Sequence, residues 1–214
     1  MGHASRRGLH RAGVERHLTT VYVMTPVALH RSLIALVAIA SVCALALAMA
    51  PAASAGQTCT AVRATPAQVG TQQLASSTVC LLNAQRARHG LRALRVSGPL
   101  SVAAQQHAAD MERRRYFSHT SRDGSNFVQR IRRTGYLRRA AGWFVGENLA
   151  WGAGVNRSSP RGIVAAWMAS PPHRRNILDG RFREIGIGVV EGAPRRNLFG
   201  MPAATYATSF GSRG

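Results

Sequence analysis

Residues 32–50, SLIALVAIASVCALALAMA, form an uncharged apolar run of 19 residues. A run of that length is about what a helix needs to span a bilayer, so it decides first what the rest of the chain can be. Arg31 stands just before it, and Pro51-Ala52-Ala53-Ser54-Ala55 follows. Ala53-Ser54-Ala55 has the small-residue pattern of a secretory cleavage site. Residues 1–55 are therefore read as a Sec-type signal peptide with an extended start, cut after Ala55. Met24 opens a shorter segment of the usual form (MTPVALHR) and is an alternative translation start. The competing reading is an uncleaved membrane anchor, but no basic stop-transfer cluster follows the run. Val42 before Cys43 does not suit a lipoprotein signal, which wants a small residue there.

Cleavage leaves 214 − 55 = 159 residues, enough for one domain. They carry 23 Arg against 7 acidic residues, about +16, within a whole-chain net charge of +20. Every basic residue is Arg, as a GC-rich coding bias would also produce, so the charge alone does not point to nucleic acid. Aromatic residues are only 6% and no nucleic-acid motif is present, which argues against specific readout. The composition excludes a coiled coil, a collagen, an acidic disordered chain and a polytopic membrane protein. Two cysteines remain, Cys59 and Cys80. An even pair outside the cytoplasm reads as a disulfide closing a loop of roughly 20 residues. It would tie an N-terminal segment, 56–76, to the first helix. No CxxC or His pair gives these cysteines a metal role.

Ser76-Ser77 offers an N-cap for a helix running to Gly90. Ser97-Gly98-Pro99 opens a second helix whose apolar face is Leu100, Ala103, Ala104, His107, Ala108 and Met111. A short third helix covers FVQRIRRTGY, and Ser159-Pro160 caps a fourth, broken by Pro171-Pro172. The stretch GWFVGENLAWGAG is read as a Gly-rich connection. Two strands close the chain, residues 185–191 and 204–210. Helices first and strands late make an α+β domain.

LLNAQRARHGLRAL, HAADM, YFSHTSRDG, Arg130-Ile131…Gly135-Tyr136, GENLAWG, WMASPPHRRNIL, FREIGIGV and ATSFG occur in this order. Together they resemble the CAP superfamily, or SCP-like domains, in its bacterial branch, over about residues 77–212. The resemblance implies an α-β-α sandwich with a small antiparallel sheet between helical layers. It also implies a cleft lined by two His and two acids, which in some members holds a divalent cation. His119 matches the first histidine, Glu147 the first glutamate and His173 the second histidine. The second glutamate, expected after Trp167 as W-x-x-E, is Ser170. Tyr206-Ala207-Thr208-Ser209 stands where a Trp-Thr-Gln pattern is common.

Two imidazoles and one carboxylate suffice for Zn²⁺ with an open position. The candidate ligand cleft is accordingly His119, Glu147, His173, Ser170 and Asn176, with the first three as possible metal ligands. The architectural alternative has His119 and Glu147 satisfying backbone groups, and His173 ordering its loop through Asn176. His107 reads as a packed histidine, His89 as a helix C-terminal residue, and Asp110, Asp123 and Asp179 as helix or turn polar groups. Ser118 has no nucleophile elbow around it, and Gly186-Ile187-Gly188 is no dinucleotide fingerprint. The arginine groups around 113–115, 130–133, 138–139 and 174–175 read as solvated faces.

The resulting expectation is a secreted, monomeric, non-enzymatic protein. It would bind a small ligand, a lipid, a cell-wall component or a divalent cation. The alternatives are a metal-assisted hydrolase of peptide or ester bonds, and a polyanion-binding surface protein.

Overall fold

The computed structural model describes residues 22–24, 58–196, 198 and 200–214. The apolar run 32–50 and the cleavage site at Ala55 lie outside the described residues. Residues Tyr22–Met24, inside the span read as a signal peptide, form a three-residue strand, β1.

Helix α1 (Pro66–Arg88) starts ten residues before the expected cap. Pro66 sits in its first turn, and the Thr65 N–H donates to Gln68 Oε1 at 2.8 Å. Gly70, at φ 74°, kinks the helix and masks its periodicity in the sequence. Ser76 and Ser77 are interior residues whose hydroxyls donate to the carbonyls of Gln72 and Gln73. Residues 66–76 of the N-terminal segment are thus part of α1. The Cys59–Cys80 disulfide is present, joining the approach to α1 with its middle.

Helix α2 (Gly98–Arg113) buries the six residues its periodicity predicts. It ends just before Arg115, which stands at φ 55°. Helix α3 (Phe127–Arg133) is capped by Asn126, whose side chain accepts from the Gln129 N–H at 3.0 Å. Helix α4 (Val155–Ser158) leads into α5 (Pro160–Ala169), where Ser159 Oγ accepts from the Gly162 N–H. Pro171-Pro172 ends α5 and at once opens α6 (Pro171–Ile177).

Strands β2 (Arg95–Val96), β3 (Trp143–Ala153), β4 (Glu184–Glu191) and β5 (Ala203–Arg213) complete the sheet with β1, in the order β1-β3-β5-β4-β2. All neighbours are antiparallel except β2 and β4. The stretch expected to be a Gly-rich connection is thus an 11-residue strand. On one side of the sheet Leu74 and Leu82 of α1, Trp167 of α5 and Ile177 of α6 pack with Phe144, Ile185, Tyr206 and Phe210. On the other, Leu100, Ala104, Ala108 and Met111 of α2, with Phe127 and Ile131 of α3, pack with Val145, Leu149 and Ala207. The result is an α-β-α sandwich.

Glycines set the spacing of its layers. A Cβ on Gly186 would fall 1.9 Å from the Leu100 carbonyl carbon, and one on Gly188 would fall 2.3 Å from the Gln105 amide. The Gly-Ile-Gly of β4 therefore serves to let α2 lie directly on the strand. No helix among the described residues is long and apolar enough to cross a membrane.

Candidate functional site

Strand β3 alternates across the sheet and so presents its residues to two different environments. Glu147 faces the α2–α3 side, and its carboxylate is 1% exposed. His119, from the loop between those helices, donates from Nδ1 to Glu147 Oε1 at 2.7 Å. Arg130 of α3 donates from Nη2 to Glu147 Oε2, also at 2.7 Å. Its Nη1 holds the His119 carbonyl, Ser121 Oγ and the Ser125 carbonyl at 3.0, 2.9 and 2.9 Å. Burial acts to raise the Glu147 carboxyl, but the His119 hydrogen bond and the Arg130 charge outweigh it and hold it below the ordinary carboxylate range.

His107 joins this cluster from α2. It is buried, its Nε2–H donates to the Ser118 carbonyl at 2.9 Å, and Ser121 Oγ approaches Nδ1 at 3.4 Å. Burial pushes its imidazole below the usual histidine range. Ser118 Oγ accepts from the Thr120 N–H.

The neighbours of Glu147 on β3 face the other way. Asn148 donates from Nδ2 to the His173 carbonyl at 3.0 Å. Asn176 donates to the Glu147 carbonyl and to Asn148 Oδ1, at 3.2 and 2.9 Å. Asn176 therefore ties α6 to the β3 backbone. Asn148 thus links Asn176 to the His173 carbonyl, the two residues whose pairing the sequence suggests.

Ser170 and His173 line a cavity of about 270 Å³ between β3, α4, α5 and α6. It is lined by the Leu149–Trp151 stretch of β3 and by Ile163, Ala166 and Trp167 of α5. The Ser170 Oγ is buried and has no hydrogen-bond partner among the described residues. His119 and Glu147 are not part of this lining. Of the five predicted cleft residues, His119 and Glu147 meet in a buried ion cluster, Asn176 bonds Asn148 and the Glu147 carbonyl, and Ser170 and His173 border the cavity.

A metal ion does not fit this arrangement well. Both Glu147 oxygens are engaged, one of them by a guanidinium cation that would repel a second cation. Among the described residues no group of three or more His, Cys, Asp or Glu is placed to hold a metal.

Sequence reasoning misses the part played by arginine. Arg130 reads as one of a solvated group, yet it is 8% exposed and closes the Glu147 cluster. Arg86, on the polar side of α1, is wholly buried and donates to the carbonyls of Arg92, Ile177, Asp179 and Phe182. The signal available for Arg130 is its place in the Arg130-Ile131…Gly135-Tyr136 element. His89, Asp110, Asp123 and Asp179 have the local roles expected of them.

A sandwich in which a loop histidine pairs with a buried glutamate of β3, and a second histidine follows a Pro-Pro helix start, is the class of domain the sequence resemblance implies. The chain belongs to the cysteine-rich secretory protein (CAP) family, whose model matches residues 79–208. It is 36% identical over 111 residues to the uncharacterized protein YkwD of Bacillus subtilis, covering 52% of this chain and 40% of that one. It is 30% identical over 109 residues to the uncharacterized membrane protein YlbC of the same organism, covering 51% and 29%. The chain thus spans well under half the length of these relatives. Among solved structures, an outer surface protein of Borrelia burgdorferi matches with a TM-score of 0.50 at 23% identity, over 64% of this chain and 90% of that one. An extracellular protein of Bacillus anthracis containing an SCP domain matches at 0.48 and 27%, over 65% and 39%.

Proposed function

We propose that this protein is exported, with residues 1–55 as its signal, and acts outside the cell or at its envelope as a non-enzymatic binding protein for a small organic ligand. Cleavage after Ala55 would remove β1 from the edge of β3 and leave a four-stranded sheet. The Cys59–Cys80 disulfide suits an oxidising compartment, and the secretory description of the family agrees with export.

The observation that carries the binding reading is the apolar cavity bordered by Ser170 and His173. A mostly apolar cavity with few convergent polar groups is the usual form of a small-ligand site. The Glu147 cluster supports the non-enzymatic part. A general base needs a carboxylate that can reach a substrate proton, and both oxygens of this one are held by His119 and Arg130.

The test is thermal unfolding of the purified protein against a panel of small organic compounds and Zn²⁺, with Ala166→Phe alongside to fill the cavity. A saturable rise in Tm with an organic compound, lost in Ala166→Phe, is the expected result. A rise confined to Zn²⁺, reversed by chelator and lost in His119→Ala, would replace this reading with the metal one.

A further inference from the structure

We infer that the pocket between α2, α3 and the loop joining them is a binding site for a phosphoryl or sulfate group. It shares no lining residue with the Ser170–His173 cavity, so either site can exist without the other. The pocket has a volume of about 220 Å³. Four arginines line it, Arg113 and Arg114 at the end of α2 and Arg130 and Arg133 on α3, against two carboxylates, Asp110 and Asp123. Arg130 is answered by Glu147, which lies outside the lining, and this still leaves three arginines to two acids. His107, also in the lining, adds no charge at neutral pH, because burial holds its imidazole below the usual histidine range.

The ion pairs already formed leave donors over. Arg113 Nη2 and Arg114 Nη1 share one oxygen, Asp110 Oδ1, at 3.4 and 3.7 Å, while Asp110 Oδ2 takes the Tyr116 hydroxyl. Arg133 reaches Asp123 Oδ2 with Nη1 at 3.3 Å. Each of these three arginines thus commits one nitrogen of a group that carries five N–H donors. Their side chains are half-exposed or more, and exposed pairs contribute little, so the guanidinium groups can turn to a ligand at small cost. Arg130 is different: it is buried and held by four acceptors, and so supplies a fixed positive charge to the lining.

The arrangement of the donors selects the anion. They come from α2 and from α3, two separate helices that meet at this pocket. A carboxylate offers two oxygens in one plane, which suits a single guanidinium fork. A phosphoryl group presents three strong acceptor oxygens that point apart, and sulfate is built alike, so either can meet forks from both helices at once.

The test is calorimetric titration of the purified protein with inorganic phosphate, sulfate, glycerol 3-phosphate and acetate, at neutral pH and about 0.15 M salt. At that salt the field of the arginine-rich surface is screened over about 8 Å, so saturable binding reports a local site. Phosphate and sulfate should saturate, and acetate should bind at least about tenfold more weakly, the loss of one charge-assisted contact. Arg113→Gln and Arg133→Gln, one from each helix, should each weaken phosphate about tenfold. Replacing both Arg174 and Arg175 of α6 by Gln removes two charges outside the pocket and should leave phosphate binding unchanged. Glycerol 3-phosphate binding as tightly as phosphate supports the site as one for phosphate esters. Its rejection while phosphate binds supports the site as one for the free ion.

Equal weakening by the α6 double variant would mean that overall charge, and not the pocket, holds the anion, and would overturn the site. Phosphate binding unchanged in both Arg113→Gln and Arg133→Gln would overturn it as well. Acetate as tight as phosphate would overturn the ligand class. Absence of saturation with both phosphate and sulfate would overturn site and ligand class together, without bearing on the Ser170–His173 cavity.

Discussion

Replacing Arg130 by Met would leave the Glu147 carboxylate buried without the cation that touches its Oε2. Removing one partner of a buried ion pair costs about 3–5 kcal/mol, because the remaining charge has neither water nor counter-ion. Arg130→Met should therefore unfold at distinctly lower denaturant concentration, and adding Glu147→Gln to it should restore part of the loss by removing the stranded charge. A double variant no better than the single one would mean that the pair is not coupled.

The same cluster fixes the pH response. His107 is held below its ordinary value by burial, while the Glu147 charge works to raise it and the Arg130 and His119 charges lower it further. Unfolded His107 takes up a proton near pH 6.5, where the folded imidazole does not. Stability from this group is complete above that pH and is lost as pH falls towards the folded value. Glu147 is also depressed, so its contribution is present above about pH 4.3 and disappears on further acidification. Stability measured from pH 8 to pH 3 should fall in two stages. His107→Gln, which can still donate to the Ser118 carbonyl, should flatten the first and leave the second.

Strand β3 shows at the scale of an element what was legible and what was not. The helices α2, α3 and α5 could be read because caps and a 3.6-residue period are local properties. The strand could not, because Gly146 and Gly152 interrupt its pattern for reasons that lie elsewhere in the chain. A Cβ at Gly146 would fall 2.8 Å from Phe182 Cζ, and one at Gly152 would fall 2.0 Å from the Arg157 carbonyl oxygen. The site divides in the same way. The motifs supplied His119, Glu147 and His173 by number, but the turn of Asn148 away from Glu147 to meet Asn176 and the His173 carbonyl is visible only once β3 is known to be a strand. Arg130 is hard to find among neighbouring arginines by charge alone, and only its place in the Arg130-Ile131…Gly135-Tyr136 element marks it.

Gly152 provides the test at this scale. Its neighbour is backbone, so the chain itself must move to admit a methyl group, and overpacking of this kind costs about 1–3 kcal/mol. In a domain of this size that lowers Tm by about 2–4 °C for each kcal/mol. Gly152→Ala should show the drop in a melting curve. Gly98→Ala, where a Cβ meets nothing within 4 Å, should leave Tm unchanged or slightly raised.

Over the whole molecule the charges are unevenly answered. Asp110, Glu112, Asp123, Glu147, Asp179 and Glu184 each lie within 4.0 Å of an arginine, so nearly all the acid from residue 56 onward is already paired inside the protein. Arginines far outnumber these acids and leave the chain at +20. A surface of that kind attracts any polyanion through its long-range field, without reading its sequence or shape. Such attraction is screened over about 10 Å at 0.1 M salt, and it should be separable from ligand binding in the cavity. Retention on heparin should be strong at low salt and should collapse between about 50 and 500 mM salt as that screening length shortens. Ala166→Phe, which closes the cavity and changes no charge, should elute where the parent does. If that variant eluted at lower salt, the cavity and the polyanion surface would be one site. If it eluted with the parent, heparin binding would report only the surplus of arginine.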